Sequence, residues 1–116
     1  MADDPKSKTL EDQRFLLELT DPLGNIVYLF EPRWNAKIVL DHPVTLEDVR
    51  ATISDPDVIY EFGGDRRYYR RLGRSGYMFS VTKLYRGRHN SVVTTYPLTH
   101  IQEWGGAKLV YVSRRR

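Results

Sequence analysis

The chain has 116 residues, no cysteine and a formal net charge of +3 at neutral pH. That length suits one domain able to bury its own core, and the missing thiols exclude disulfides, cysteine nucleophiles and thiolate metal sites. No apolar run approaches the length of a membrane span, and the opening MADDPKSKTLEDQ has no apolar stretch of the signal-peptide kind, so a cytoplasmic protein with no membrane partner is expected.

In chain order, residues 1–12 are polar and charged and are expected to be a flexible lead-in. Phe15, Leu17 and Leu19 alternate as in a strand. Asp21-Pro22-Leu23-Gly24-Asn25 then supplies turn chemistry, and Ile26 to Phe30 returns, which predicts a β-hairpin. Pro32 suits a helix start and Trp34 with Ile38 forms an i,i+4 apolar pair, so a short helical turn follows. Thr45-Leu46-Glu47-Asp48 fits a capping box, with Val44 poised to staple onto Val49 and with Leu46, Val49 and Ile53 as the buried stripe. Pro56 stops that helix by disfavouring helical backbone at Asp55.

Strands are expected over Val58–Phe62, over Arg66–Leu72 after a Gly63-Gly64-Asp65 turn, and over Tyr77–Tyr85. Another runs over Ser91–Tyr96, closed by Pro97, and a last edge strand covers Ala107–Val112. Residues 113–116 read as a loose basic tail. The expected fold is α+β: an N-terminal hairpin and short helices packed on a curved antiparallel sheet of about four strands, in one domain over residues 13–112.

Charge is spread unevenly along this order. Residues 1–59 carry six Lys and Arg against twelve Asp and Glu, residues 60–90 eight against two, and residues 91–116 four against one. A basic second half implies either a polyanionic partner or pairing with the acidic first half. Metal and nucleotide-cofactor chemistry is not indicated. His42, His89 and His100 have no ligand spacing, and Gly63-Gly64 and Gly105-Gly106 match no phosphate-cradling motif.

Three groups of residues could carry chemistry. His42 sits at an element end before Pro43, as a proton shuttle or as a packing residue at the start of the helix. In Arg66-Arg67-Tyr68-Tyr69-Arg70-Arg71, strand alternation puts Arg67, Tyr69 and Arg71 on one face and Arg66, Tyr68 and Arg70 on the other. Guanidinium groups clamp phosphate and tyrosine rings stack on unpaired bases; the run also reads as a solvated edge strand guarded by its charges. Thr94 and Tyr96 share a strand face and could present two hydroxyls, although Val, Thr and Tyr are also ordinary strand formers.

Trp34, Asp41-His42-Pro43, the capped helix, Asp55-Pro56-Asp57, Tyr68-Tyr69-Arg70 and Val93-Thr94-Thr95-Tyr96 follow one another in a particular order. That order resembles the small phage- and toxin-associated ribonuclease-like domains of the barnase–EndoU–colicin–RelE superfamily, over roughly residues 34–99. The resemblance implies a metal-independent endoribonuclease, plausibly a toxin with an antitoxin or immunity partner, in which a ribose 2′-hydroxyl attacks the adjacent phosphate. It implies His42 as general base or acid and Arg70, with Arg67 or Arg71, as the phosphate-binding arginine. Thr94 or Thr95 and Tyr96 would be the late-strand polar cluster, and Lys37 and Tyr69 would contact RNA. Members often carry His-Ile where this chain carries Lys37-Ile38, and lysine binds phosphate but serves poorly as a base at neutral pH. Two other functions fit the residues: a non-catalytic nucleic-acid-binding module using the basic Arg/Tyr face, and an interaction domain whose acidic half pairs with a basic partner.

Overall fold

The structure is a computed structural model, and it describes residues 9–10, 13–41, 43–74, 76–83, 89–102 and 105–114. His42, the remainder of the lead-in outside Thr9 and Leu10, Ser75, residues 84–88, Glu103, Trp104 and the last two arginines lie outside the described residues.

Among the described residues eight strands form one sheet: β1 (Thr9–Leu10), β2 (Gln13–Thr20), β3 (Ile26–Phe30), β4 (Val58–Phe62), β5 (Asp65–Arg71), β6 (Tyr77–Lys83), β7 (Asn90–Leu98) and β8 (Lys108–Val112). Their spatial order is β1-β2-β3-β7-β6-β5-β4-β8. This corrects the expectation of a hairpin and helices laid on about four strands, since strand accounts for 51% of the described residues and helix for 21%. The reason lies at one seam. β3 joins β7 in parallel through Val27↔Asn90 and Tyr28↔Ser91, and the Asn90 amide donates to the Ile26 carbonyl at 3.0 Å. The hairpin therefore extends the sheet instead of packing on it, while β8 adds to the other edge through β4.

Local chemistry explains most elements. Asp21 organises the β2–β3 turn. Its Oδ1 accepts from the Leu23 and Asn25 amides at 2.9 and 2.8 Å and its Oδ2 from the Asn25 side chain at 3.0 Å, while Gly24 takes a φ of 88°. β4 and β5 meet at the two-residue turn Gly63-Gly64, with Gly63 at φ 61°. Pro97 lies inside β7 opposite Met78 of β6, beyond the two positions at which β3 pairs with β7.

The first helical stretch has three parts: α1 (Glu31–Arg33), a π-helical turn (Trp34–Ile38) and α2 (Val39–Asp41). The Val39 amide bonds the Trp34 carbonyl, one residue further than an α-helix would. Helix α3 (Leu46–Ser54) has its capping box: Thr45 Oγ1 accepts from the Asp48 amide at 3.1 Å, and Asp48 Oδ2 accepts from the Thr45 amide at 2.8 Å. Its buried face is Val49, Thr52 and Ile53; Leu46, expected there, is exposed. Among the described residues no helix is long and apolar enough to cross a membrane.

Two apolar clusters lie on opposite faces of the sheet. The helices cover one face, where Ile38, Val44, Val49 and Ile53 meet Leu17, Leu19, Val27, Leu29, Ile59, Tyr68, Met78 and Val92. The other face bears Val58, Tyr69 and Phe79 with half-buried Tyr60, Tyr77, Val81, Tyr96, Leu98 and Ile101. Tyr68 and Tyr69 are both fully buried, on opposite faces, because successive strand residues alternate.

Candidate nucleic-acid interface

The Arg66–Arg71 run does not lie on an edge. β5 pairs with β4 on one side and β6 on the other, so the run is central and its arginines have structural partners. On the helix-covered face, Arg66 Nε bonds Glu61 across the strand pair at 3.0 Å. Arg70 Nη1 donates to the Asp55 carbonyl at 2.7 Å and to its carboxylate at 3.1 Å. Arg70 thus closes the C-terminal end of α3, where carbonyls lack intrahelical partners. Asp55-Pro56-Asp57 is a structural corner. Asp57 accepts from the Arg71 amide at 2.6 Å and the Ser113 amide at 2.7 Å, and donates its own amide to the Tyr69 carbonyl at 2.7 Å.

On the helix-free face, Arg67 is 8% exposed, sits 3.7 Å from Asp65 and lies over the Phe62 ring at 5.1 Å. Tyr69 is fully buried, its hydroxyl donating to the Gln102 carbonyl at 3.3 Å. Neither presents the stacking or clamping surface expected of it. The aromatic surface runs instead through its neighbours. Phe79 lies 4.8 Å from Tyr69, and Tyr96 stands edge-on to Phe79 at 5.2 Å. Tyr60 and Tyr77 stand edge-on to Tyr69 at 6.1 and 6.2 Å. Tyr60, Tyr77 and Tyr96 remain half-exposed on this face, and Thr94, half-buried, shares it through its pairing with Val81.

The other expected residues fall elsewhere. Thr95 is fully buried on the helix-covered face, its hydroxyl 2.8 Å from that of Ser80. Lys37 is exposed on the π-helical turn and pairs with Asp41 at 3.3 Å. His42 lies outside the described residues. Its neighbours are exposed Asp41 and Pro43, followed by Val44, which is buried under the helix-covered face. The structure therefore brings Arg67, Tyr69, Arg71, Thr94 and Tyr96 to one face and leaves Lys37, Arg70 and Thr95 on the other.

Arg71 has a different setting from its neighbours. It lines a cleft of about 310 Å³ at the end of β5, β6 and β7, together with Arg74, Gly76, Tyr77, Thr99, His100 and Ile101. The cross-strand row Arg71↔Tyr77↔Leu98 brings the β5–β6 turn beside the residues that leave β7. Gly76 makes that approach possible: its φ is +94°, and a Cβ there would collide with the Leu98 carbonyl oxygen. Arg71 Nε donates to the Gly73 carbonyl at 3.2 Å, and the Thr99 hydroxyl lies 2.9 Å from His100 Nδ1. Sequence reasoning singled out Arg71 but not Arg74, Tyr77, Thr99 or His100. The signal that unites them is the pairing register, which no single motif carries.

Among the described residues, no group of three or more histidines and carboxylates is placed to hold a metal ion. No protein-family model matches the chain, and neither a curated protein nor a solved structure matches it significantly.

Proposed function

We propose that this chain acts on single-stranded RNA, holding it against the helix-free face of the sheet and cleaving it as a metal-independent endoribonuclease. One observation carries the reading: half-exposed Tyr60, Tyr77 and Tyr96 lie on a face that ends in Arg71 and Arg74. Aromatic rings beside cations are the combination that takes unpaired bases and their backbone together. The cleavage step draws on the resemblance to ribonuclease-like domains. The ribose 2′-hydroxyl would attack the adjacent phosphate while a histidine accepts its proton, imidazole being the side chain that exchanges protons near neutral pH. By residue type, His42, His89 and His100 are the candidates, and the His89 ring stands edge-on to Tyr28 at 5.2 Å.

The alternative is a binding module without chemistry. It is favoured by Arg70, the arginine expected at the phosphate, whose guanidinium is engaged with Asp55. Incubation with labelled single-stranded RNA in excess EDTA separates the two. The enzyme reading expects EDTA-resistant cleavage. It also expects binding that weakens with salt, with a slope of about −0.7 per neutralised phosphate, and that weakens in Tyr77→Ala and Tyr96→Ala. Binding without cleavage would leave the module, and absence of RNA binding would remove both.

A further inference from the structure

We infer that the scissile phosphate sits in the cleft at the end of the helix-free face, with His100 as the group that accepts the 2′-hydroxyl proton. This rests on the ribonuclease reading and gives it a site.

The cleft collects the parts that such a step requires. Arg71 is held twice, by its amide to Asp57 at 2.6 Å and by its Nε to the Gly73 carbonyl at 3.2 Å. The amide anchors the backbone and the Nε contact turns the edge formed by the two terminal nitrogens toward a phosphate. Arg74, exposed on the turn, adds a second cation to the same rim. The Thr99 hydroxyl lies 2.9 Å from Nδ1 of His100, and in the tautomer whose Nδ1–H donates to that hydroxyl the Nε2 lone pair is left to accept a proton.

Size and placement agree with this role. About 310 Å³ falls within the roughly 300–1,000 Å³ range of small-ligand sites. Tyr77 and Ile101 belong to both the cleft and the aromatic cluster, so a strand stacked on the face runs directly into it. The segment leading to His42 is placed differently: Lys37 pairs with Asp41 there, and Ile38 and Val44 pack into the helix-covered core.

In the step itself, neutral His100 takes the 2′-hydroxyl proton at Nε2 as the 2′-oxygen–phosphorus bond forms. The bond from phosphorus to the 5′-oxygen then breaks, and the departing oxygen takes a proton from water. The imidazolium returns its proton to the resulting hydroxide, leaving a 2′,3′-cyclic phosphate and a 5′-hydroxyl. Arg71 and Arg74 stabilise the charge that builds on the phosphoryl oxygens.

The test measures cleavage of a short mixed-sequence RNA in EDTA, and binding of the all-deoxy strand of the same sequence. It compares wild type, His100→Ala, Arg74→Ala, His42→Ala and, as a control for loss of a surface charge, Arg50→Ala. His100 and Arg74 are exposed, and circular dichroism confirms the fold of each variant. The expected result is a cleavage loss of about 100-fold or more in His100→Ala with binding of the deoxy strand kept. Arg74→Ala should weaken both, and Thr99→Val, which removes the hydroxyl beside the His100 ring, should lower cleavage with binding of the deoxy strand kept. Cleavage at the wild-type rate in His100→Ala overturns the inference, and if His42→Ala alone abolishes cleavage the ribonuclease reading survives without it. A wild type that does not cleave overturns both.

Discussion

Tyr68 and Tyr69 are adjacent in the chain and equally buried, yet their surroundings share almost nothing. Tyr68 points under the helices, and its hydroxyl donates to buried Asp21 at 2.6 Å, 47 residues away. Burial first, then the hydrogen bond to Asp21 and its negative charge, hold the Tyr68 hydroxyl well above the ordinary phenol range. Tyr69 points to the helix-free face and is enclosed by Tyr60, Tyr77 and Phe79. One face is thus closed by secondary structure and a charged hydrogen bond, the other by ring against ring. The second arrangement buries its central residues while leaving its outer rings accessible, as a face that receives a ligand requires.

The comparison breaks most severely if the helix-free face is only decorated surface. Phe79 is 1% exposed at the centre of that cluster, so Phe79→Ala should cost about 3–5 kcal/mol, comparable with a large-to-small change in the helix-covered core. Urea denaturation measures this, and a loss below about 1 kcal/mol would mean that the aromatic cluster does not act as a second core. Gly76→Ala should follow, at about 2–4 kcal/mol, because the residue needs a positive φ and its new Cβ meets the Leu98 carbonyl. The same denaturation series measures it, and a neutral result would place the β5–β6 turn away from β7.

The finest comparison is between the two tyrosines themselves. Tyr68→Phe removes a bond to a buried carboxylate and should cost about 1.5–3 kcal/mol, whereas Tyr69→Phe should cost less than about 1 kcal/mol. The pH dependence separates them further. Above about pH 10 the unfolded Tyr68 phenol loses its proton while the folded one keeps it, so unfolding releases a proton and stability falls as pH rises. Wild type should therefore lose up to about 1.4 kcal/mol per pH unit more than Tyr68→Phe in that range. Parallel stability curves for the two proteins above pH 10 would disprove the pairing.

Short-range chemistry was legible in the sequence. The Asp21–Asn25 turn, the Thr45–Asp48 capping box, the Gly63-Gly64 turn and the approximate strand positions all follow from residue types a few positions apart. What escaped depends on partners distant in sequence. The arginine run looks like a charged edge because its own residues are polar, but β4 and β6 flank it on both sides, and Arg70 is held by Asp55. The same limit hid the parallel β3–β7 seam, which adds the hairpin to the sheet, and the cleft that sets Arg71 and Arg74 beside His100. Leu46 was misassigned for a more local reason: it begins α3, before the helix settles onto the sheet.

The β3–β7 seam also has a consequence for the order of assembly. β4, β5, β6 and β7 join neighbour to neighbour and can form from contacts close in the chain. The hairpin reaches Asn90 only by closing a separation of 64 residues, across two strand-paired positions, and such long closures slow folding. The meander should therefore gather first and the hairpin dock onto it afterwards. In the native protein the same seam is the natural place for partial opening, so amide exchange should begin along β2 and β3 before it reaches β5 and β6.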